Sequence, residues 1–533
     1  MQPFTYRSPF PSRRSPVMAR RGMVATSHPL AVAAGLEMLR EGGNAVDAAI
    51  AAAAALAVVE PTSNGLGSDA FALVWDGKRL HGLNASGRSP RALTPEVVRQ
   101  AHGETMPTDG WLPVTVPGAV SGWVALSRRF GRLAFRRLLE PAIHYAAEGH
   151  GVPPLTAQAW QEAEKRFAHR EDFRAAFLPG GRAPQAGQLF RLPDQARSLR
   201  LIAESEGEAF YRGELAEAMA AHAAREGGLL TVEDLAEHEP EWVEPLSVSH
   251  KGFRLWELPP NGQGLVALQA LALLSPLDLG PDLLDGRRLH YVVEALRIAF
   301  ADAYAHISEP ASLRVRPEQL VDDAYLAERR RLLTETRNPE VAAGHPATGD
   351  TVYLCAADGD GMMVSFIQSN YMGFGSGVVV PGTGIALQNR GACFTMEEGH
   401  PNQVGPAKRP FHTIIPAFLT TEAGEPVAAF GVMGGDMQPQ GHLQVLLNLL
   451  DFQLDPQAAL DAPRVHLLPD GRVAVEPGIP TAAREELARR GHPVVEDGGP
   501  FGFGGGQVIW RDGEQGLYIA GSDPRKDGLA MGF

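Results

Sequence analysis

The sequence pattern changes most abruptly at one threonine, Thr351, and its position makes it a candidate nucleophile. Residues 338–350 are rich in proline and glycine, whereas Thr351 to Ala357 are mostly apolar, which is typical of a buried strand. Cleavage of the Asp350–Thr351 peptide bond would give Thr351 both a hydroxyl nucleophile and a free α-amine. An α-amine with a pKa of about 7.7–8.0 serves as a general base near neutral pH, so this residue would activate itself.

A predicted hairpin follows this threonine. The turn signal Asp-Gly-Asp-Gly at 358–361 precedes a second apolar run at 362–369, which predicts a returning strand. Thr351 would then lie where a flexible, exposed linker enters a buried sheet. A threonine that merely begins a strand is common, and this stretch alone favours that plain structural interpretation.

Composition restricts the classes of function. From its length alone, a chain of 533 residues is expected to have three or four domains of ~150 residues. Its formal net charge of −14 and pI of about 5.7 argue against nucleic acid or an anionic membrane as the main partner. Two cysteines, Cys355 and Cys393, cannot form a disulfide framework, and the sequence contains no zinc-type CxxC pair or H-E-x-x-H motif. We therefore predict no metal and no cofactor.

Targeting signals are not evident in the sequence. The arginines near the N-terminus lie among prolines and serines, and no apolar segment of the signal-peptide kind follows them. The longest apolar run, residues 48–59, is too short and alanine-rich to cross a bilayer, so it predicts a buried helix. We expect a cytoplasmic enzyme that acts on a small molecule and has no membrane partner.

The predicted elements change in character at the linker, since helices and strands mix before it and strands and glycines dominate after it. Helices are predicted over residues 28–41, 47–59, 119–130, 135–147, 194–225, 232–237, 265–274, 289–305 and 441–450. Strands are predicted over residues 23–27, 70–75, 80–83, 251–258, 351–357, 362–369, 378–380, 385–387, 428–433, 507–510 and 517–520.

Two further stretches contain residues that could belong to an active site. Gly434 and Gly435 lie between a predicted strand and a predicted helix, where two backbone N–H groups can bind an oxyanion. A tight turn is an equally good interpretation of these glycines. The loop 84–90 carries Ser86 and Arg88 at the end of a predicted strand, and composition alone does not decide whether it lines a pocket or is solvated.

A series of short motifs, in order from about residue 22 to the end, resembles the γ-glutamyltransferase family, also called glutathione hydrolases. Each motif is weak alone, and their order makes the combination specific. Before the linker they are residues 42–49 (Gly-Gly-Asn-Ala-Val-Asp-Ala-Ala), 65–67, 116–118, 210–213, 259–264 (Pro-Pro-Asn-Gly-Gln-Gly) and 293–295. After it they are residues 350–351, 374–377, 404–410, 434–435, 461–464 and 522–525.

This resemblance implies an N-terminal-nucleophile hydrolase fold, an α+β sandwich of four αββα layers. It also implies a precursor that cuts itself before the nucleophile and leaves two subunits in one intertwined domain. The large subunit would be residues 1–350, including the linker 338–350, and the small subunit residues 351–533. Thr351 matches the nucleophile, and Ser369 matches a threonine that binds the new α-amine. Gly434 and Gly435 match the oxyanion hole.

The substrate pocket departs from the pattern of the relatives that act on glutathione. Ser86 stands where an arginine holds the glutamyl α-carboxylate, with Arg88 two residues on, and Cys393 stands where an acid binds the α-ammonium. The loop 397–408 is shorter than the loop that carries the family's lid. The remaining departures are Tyr371 for an asparagine, Arg390 for a glutamine, and His412 and Thr413 for two serines.

Three functions follow as hypotheses. The first is a self-processing enzyme that mainly hydrolyses γ-glutamyl or related small amides or peptides through an acyl-enzyme on Thr351. The second is an acylase or amidohydrolase for a non-glutamyl, oxamate-like acid amide. The third is an uncut, inactive homologue that acts as a binding protein. Arg390, Arg88 and His412 supply positive or potentially positive groups, which favours an anionic acyl group over a zwitterionic one. The sequence leaves open whether the chain forms a homo-oligomer.

Overall fold

A computed structural model describes residues 14–341, 350–499 and 501–533, and for Asp350 it describes the backbone alone. Most of the predicted linker, residues 342–349, therefore lies outside the described residues. The linker's first residues are anchored: the buried Glu294 carboxylate accepts from Asn338 N at 2.9 Å, and Arg297 Nη2 donates to the carbonyls of Asn338 and Val341.

The strands are short to medium in length. They are β1 Val17–Ala19, β2 Gly22–Thr26, β3 Asp69–Trp75, β4 Leu80–Asn84, β5 His150–Gly151, β6 Leu189–Phe190, β7 Glu241–Val243, β8 Leu246–His250, β9 Phe253–Glu257, β10 Asp350–Asp358, β11 Met363–Tyr371, β12 Val379–Val380, β13 Ile385–Ala386, β14 Ala417–Thr421, β15 Pro426–Met433, β16 Val465–Leu467, β17 Val473–Val475, β18 Val494–Glu496, β19 Gly505–Asp512, β20 Leu517–Ser522 and β21 Leu529–Gly532.

The helices range from single turns to 21 residues. They are α1 Pro29–Arg40, α2 Ala45–Val59, α3 Pro95–His102, α4 Ala119–Phe130, α5 Phe135–Glu148, α6 Pro154–Phe167, α7 Glu171–Phe177, α8 Pro193–Ser205, α9 Glu208–Tyr211, α10 Glu214–Glu226, α11 Val232–Ala236, α12 Gly264–Leu274, α13 Gly286–His306, α14 Asp323–Arg330, α15 Met437–Leu450, α16 Pro456–Asp461 and α17 Thr481–Arg489. In the described part of the chain, no helix has the length and apolar content needed to cross a bilayer.

Two seven-stranded antiparallel sheets form the centre of the molecule. One has the order β1-β20-β19-β15-β14-β9-β8 and the other the order β21-β2-β10-β11-β3-β4-β7. Each sheet takes strands from both sides of the Asp350–Thr351 bond, so a cut there would leave two interleaved pieces rather than two separable domains. The two pieces would share one fold, as the sequence predicts.

Three apolar clusters separate four layers. One lies between the sheets, and the other two lie on their outer faces. Helices α1, α2 and α4 pack on the sheet that holds β10, while α12, α15 and α16 pack on the other. Every residue of α2 is buried, and its alanines let the helix approach the sheet closely. These layers confirm the predicted αββα sandwich.

Most predicted elements are present, and the errors have local causes. The predicted helix 194–225 is three helices. The first break comes at Glu206 and Gly207, which adopt left-handed φ values of 48° and 86°, and the second at Arg212 and Gly213, whose backbone is not helical. Several elements were not predicted from the sequence, among them α6, β8 and β14. Strand β14 follows an irregular buried segment, so its start carries no turn signal.

Candidate active site

The predicted nucleophile lies at an irregularity in the hairpin of β10 and β11. The register shifts between Asp350 and Val352, and Thr351 lies at this shift. The Thr351 hydroxyl donates to Ser369 Oγ at 3.2 Å, and Ser369 Oγ accepts from Tyr371 N at 2.7 Å. Thr351 is 1% exposed, so its hydroxyl is held inside the protein by specific partners.

The glycine pair follows β15 and leads into α15. Gly434 and Gly435 have φ values of 124° and 60°, a conformation that glycine adopts readily and other residues rarely do. The Gly435 carbonyl accepts from Gln263 Nε2 at 2.9 Å, and the same amide group donates to the Thr413 carbonyl. Within the next turn, Gln438 Nε2 donates to Thr351 Oγ1 at 3.3 Å. The glycine pair and the threonine therefore belong to one connected site.

A cavity of about 430 Å³ adjoins this site. Three of the predicted substrate-binding residues, Tyr371, Cys393 and Thr413, contribute to its wall. The remaining lining is largely aromatic and apolar, with a polar rim, and consists of Glu104, Thr105, Met106, Tyr304, Ile307, Ala392, Phe394, Thr395, Met396, Glu397, His400, Asn402 and Phe411. An apolar pocket with a few polar groups is the usual form of a small-molecule site.

Arg390 lies behind this wall and is completely buried. Its Nη1 donates to Thr413 Oγ1 at 2.7 Å, and its guanidinium carbon lies 4.3 Å from the centroid of the Tyr371 ring. Among the described residues, Arg390 Nε and Nη2 have no hydrogen-bond partner. A buried cation with unused donors is costly, so this arrangement suits an anionic group that binds beside it.

Arg88 and Ser86 do not line this cavity. The Arg88 side chain is 39% exposed and pairs with Glu309 at 2.9 Å and Glu241 at 3.4 Å, in a different cleft. Ser86 is fully buried, and its hydroxyl donates to Asn84 Oδ1 at 2.7 Å. The prediction that Arg88 supplies positive charge to the pocket is corrected, because two carboxylates already neutralise it.

His412 is buried and does not supply positive charge. Its Nε2 lies 2.9 Å from Asp69 Oδ2, and Asp69 Oδ1 accepts from Gly87 N, Gly118 N and Gln388 Nε2. Burial, reinforced by the positive charge of Arg390, lowers the pKa of His412 well below its usual range. Burial raises the pKa of Asp69 to about 7. The prediction of a positively charged His412 is therefore corrected.

Cys393 provides a polar wall but no negative charge. Burial raises the pKa of its thiol, against the opposing effect of the neighbouring Arg390. With its pKa raised, the thiol is protonated at neutral pH and carries no negative charge. The absence of an ammonium partner at this position stays a prediction.

Three residues of this region were not predicted from the sequence. Gln438 contacts the nucleophile, Tyr304 has a buried hydroxyl without a partner among the described residues, and Asp436 is buried next to the glycine pair. The negative charge of Asp436 contributes to raising the pKa of both Tyr304 and Tyr371, after the larger effect of burial. Gln438 could have been predicted from its position, because it lies three residues after the glycine pair, in the first turn of a helix.

One cluster in the described part of the chain has the composition of a metal site. Asp172, His222 and Glu226 bring their ligand atoms within 4.8 Å of one another. Arg170 Nη2 binds both carboxylates, at 2.7 Å from Asp172 and 2.9 Å from Glu226. A guanidinium therefore occupies the place between them, and ion pairing accounts for the cluster.

The whole chain can be compared with known proteins. A sequence model of the gamma-glutamyltranspeptidase family matches residues 31–533. The chain belongs to this family. The glutathione hydrolase-like YwrD proenzyme of Bacillus subtilis is 36% identical over 97% of this chain and 99% of its own length. The oxamate amidohydrolase proenzyme of Klebsiella pneumoniae is also 36% identical, over 97% and 99%.

A solved structure extends this family assignment to the fold. The cephalosporin acylase from Bacillus halodurans superimposes with a TM-score of 0.93, at 49% identity, over 99% of this chain and 98% of that one. The predicted family and its αββα fold are therefore both confirmed. The relatives of this chain thus carry three different activities in their names, and the match alone does not select among them.

Proposed function

We propose that the chain is the precursor of a self-processing amide hydrolase whose nucleophile is Thr351. The observation that carries the proposal is the buried Thr351 hydroxyl, held by Ser369 and Gln438 beside a glycine pair and a pocket. Several relatives are named as proenzymes, which supports maturation into a large and a small subunit. The alternative of an uncut binding protein has no comparable support.

Maturation would begin at the Asp350 carbonyl. Thr351 Oγ loses its proton and attacks this carbon, the C–N bond breaks, and the Thr351 nitrogen gains a proton to become the α-amine. The Asp350 acyl group passes to Oγ as an ester. Water then hydrolyses the ester, which releases the Asp350 carboxylate and leaves Thr351 with a free α-amine and a free hydroxyl. The products are 350 and 183 residues long.

Turnover would use the same oxygen. The α-amine accepts the hydroxyl proton as Oγ attacks the substrate amide, and it returns the proton to the leaving amine. The backbone N–H groups of Gly434 and Gly435 would stabilise the oxyanion. Water then attacks the acyl-enzyme, the C–Oγ bond breaks, and Oγ regains a proton. These steps require no metal and no cofactor.

We also propose that the acyl group carries a carboxylate. Arg390 does not line the cavity itself, but its guanidinium lies directly behind Tyr371 and Thr413, which do. Two of its buried donors have no hydrogen-bond partner among the described residues. A carboxylate can accept two parallel N–H bonds from one guanidinium. This favours an acid-amide acylase or amidohydrolase over an enzyme specific for the zwitterionic γ-glutamyl group.

A denaturing gel with a hydrolysis screen tests the first proposal. The native chain should run as two fragments, and Thr351→Ala should remain one chain without activity. The screen should include a γ-glutamyl anilide, glutathione, oxamate and aliphatic acyl amides. A Thr351→Ala protein that is still cut and still hydrolyses a substrate would overturn the proposal. A single native band with no turnover of any amide would instead favour the binding protein.

A further inference from the structure

Gln438 is a second hydrogen-bond partner of the candidate nucleophile, in addition to Ser369, and it is completely buried. Its Nε2 donates to Thr351 Oγ1 at 3.3 Å, while its Oε1 accepts from Ile415 N at 3.0 Å. The Ile415 N–H can only donate, so it fixes the amide oxygen on its own side. The amide NH₂ must then face Thr351.

This contact sets the direction of the Thr351 hydroxyl. Oγ1 accepts from Gln438, and its proton points to Ser369, at 3.2 Å. A donor aimed at Oγ stabilises that oxygen whenever it loses its proton or leaves as an alkoxide. Both events occur in the proposed reaction: the attack on the substrate needs the first, and hydrolysis of the acyl-enzyme needs the second.

We propose that Gln438 is a positioning residue that acts on the Thr351 oxygen in self-cleavage and in turnover. The inference rests on the proposed function. In deacylation, the water oxygen bonds to the acyl carbon, the C–Oγ bond breaks, and the electron pair of that bond stays on Oγ. The Gln438 amide stabilises this oxygen until the proton arrives. The acyl pocket is built by other residues, so substrate binding should depend little on Gln438.

The same helix supplies a matched control. Gln444 is also buried in α15, and its amide group likewise donates one hydrogen bond and accepts another. Its Oε1 accepts from Val465 N at 3.0 Å, and its Nε2 donates to Val465 O at 2.9 Å. Gln444 has no part in the proposed site, so it reports what a purely structural glutamine on α15 contributes.

The test compares Gln438→Glu with Gln444→Glu. At position 438 the carboxylate still accepts from Ile415 N but no longer donates to Thr351 Oγ. We expect kcat to fall by roughly 10- to 100-fold, KM to stay within about threefold, and self-cleavage to slow in parallel. Gln444→Glu should shift the melting temperature without changing kcat.

A pH profile separates positioning from a loss of structure. The new carboxyl group can donate to Oγ only when it is protonated, so the relative activity of Gln438→Glu should recover as pH falls. Gln438→Met, which retains volume without a donor, should lack this recovery and covers the case in which the glutamate variant folds poorly. A Gln438→Glu enzyme with kcat within about twofold of the native value overturns the inference.

The failure of the proposed function would look different. If the native chain and Gln444→Glu neither cleave themselves nor hydrolyse any amide, the nucleophile assignment fails and takes the inference with it. If both are active and Gln438→Glu matches them in kcat and self-cleavage, the nucleophile assignment stands and only the role of Gln438 is wrong.

Discussion

Two arginines predicted to bind substrate have opposite surroundings. Arg88 lies at the surface of one cleft, where the carboxylates of Glu309 and Glu241 accept from it. Arg390 is fully buried behind another cavity and donates to a single hydroxyl, Thr413 Oγ1. Two of its nitrogen donors have no partner in the described part of the chain.

The difference separates a cation whose charge the protein compensates from a buried cation whose donors are only partly used. Arg88 has two carboxylate partners that compensate its charge. Its pair with the exposed Glu241 is a surface pair, and such pairs contribute only about 0–1 kcal/mol. A buried guanidinium with unused donors costs free energy until an acceptor arrives. Residue type alone cannot distinguish the two cases, whereas partner and burial can.

The largest expected effect is a loss of kcat/KM when Arg390 is replaced, in contrast to the replacement of Arg88. Arg390→Met should lower kcat/KM for glutaryl-p-nitroanilide by roughly 10- to 150-fold, because a charge-assisted pair contributes ~1.5–3 kcal/mol. Arg88→Met should change it by less than about threefold. The matched substrate is butyryl-p-nitroanilide, which lacks the carboxylate and should be hydrolysed almost equally by the native and Arg390→Met enzymes. Equal losses with both substrates would mean that Arg390 supports the fold only.

A second effect concerns whether Asp69 acts as a counter-charge for Arg390. With Asp69 protonated beside neutral His412, the native pair holds one proton between about pH 4 and 6.5. The unfolded pair also holds one, because the ordinary pKa values are 3.8 and 6.5. The pair then adds no pH dependence to stability. In Asp69→Asn, His412 stays neutral when folded and gains a proton when unfolded, so stability falls as pH drops below 6.5.

The loss should reach on the order of 1.4 kcal/mol for each pH unit. Melting temperatures of Asp69→Asn should therefore fall further behind the parent as pH decreases, with both measured in the Thr351→Ala background to keep one chain. A difference that stays constant with pH would mean that the native pair holds no proton. Asp69 would then be ionised and would act as a counter-charge for Arg390, and the contrast between the two arginines would weaken.

The smallest expected effect is the difference in kcat/KM between two substrates that differ by one amine. Glutaryl-p-nitroanilide lacks only the α-ammonium of γ-glutamyl-p-nitroanilide, and we expect it to be hydrolysed at least as well. Arg390 repels an ammonium, and the protonated Cys393 thiol does not attract it. If the glutamyl compound is preferred by more than about tenfold in kcat/KM, an ammonium site exists, and buried Asp436 is the first residue to substitute.

The sequence predicts the parts of this molecule that depend on local pattern. The hairpin of β10 and β11, the glycine pair and the family order of motifs are all readable along the chain. The pairing of Arg88 with Glu309 joins residues 221 positions apart, and the contact of Gln438 with Thr351 spans 87. Such partners are set by how two sheets and their helices stack, so the charge state of the pocket emerges only in the folded chain.

The most direct measurement is to trap the acyl group. The native enzyme is mixed briefly with glutaryl-p-nitroanilide, quenched in acid, and its two fragments are weighed by mass spectrometry. We predict one glutaryl group on the 183-residue fragment, in the peptide that begins with Thr351, and none on Thr351→Ala. An acyl group on another residue, or turnover by a chain that retains an intact Asp350–Thr351 bond, would contradict the assignment of Thr351 as the nucleophile.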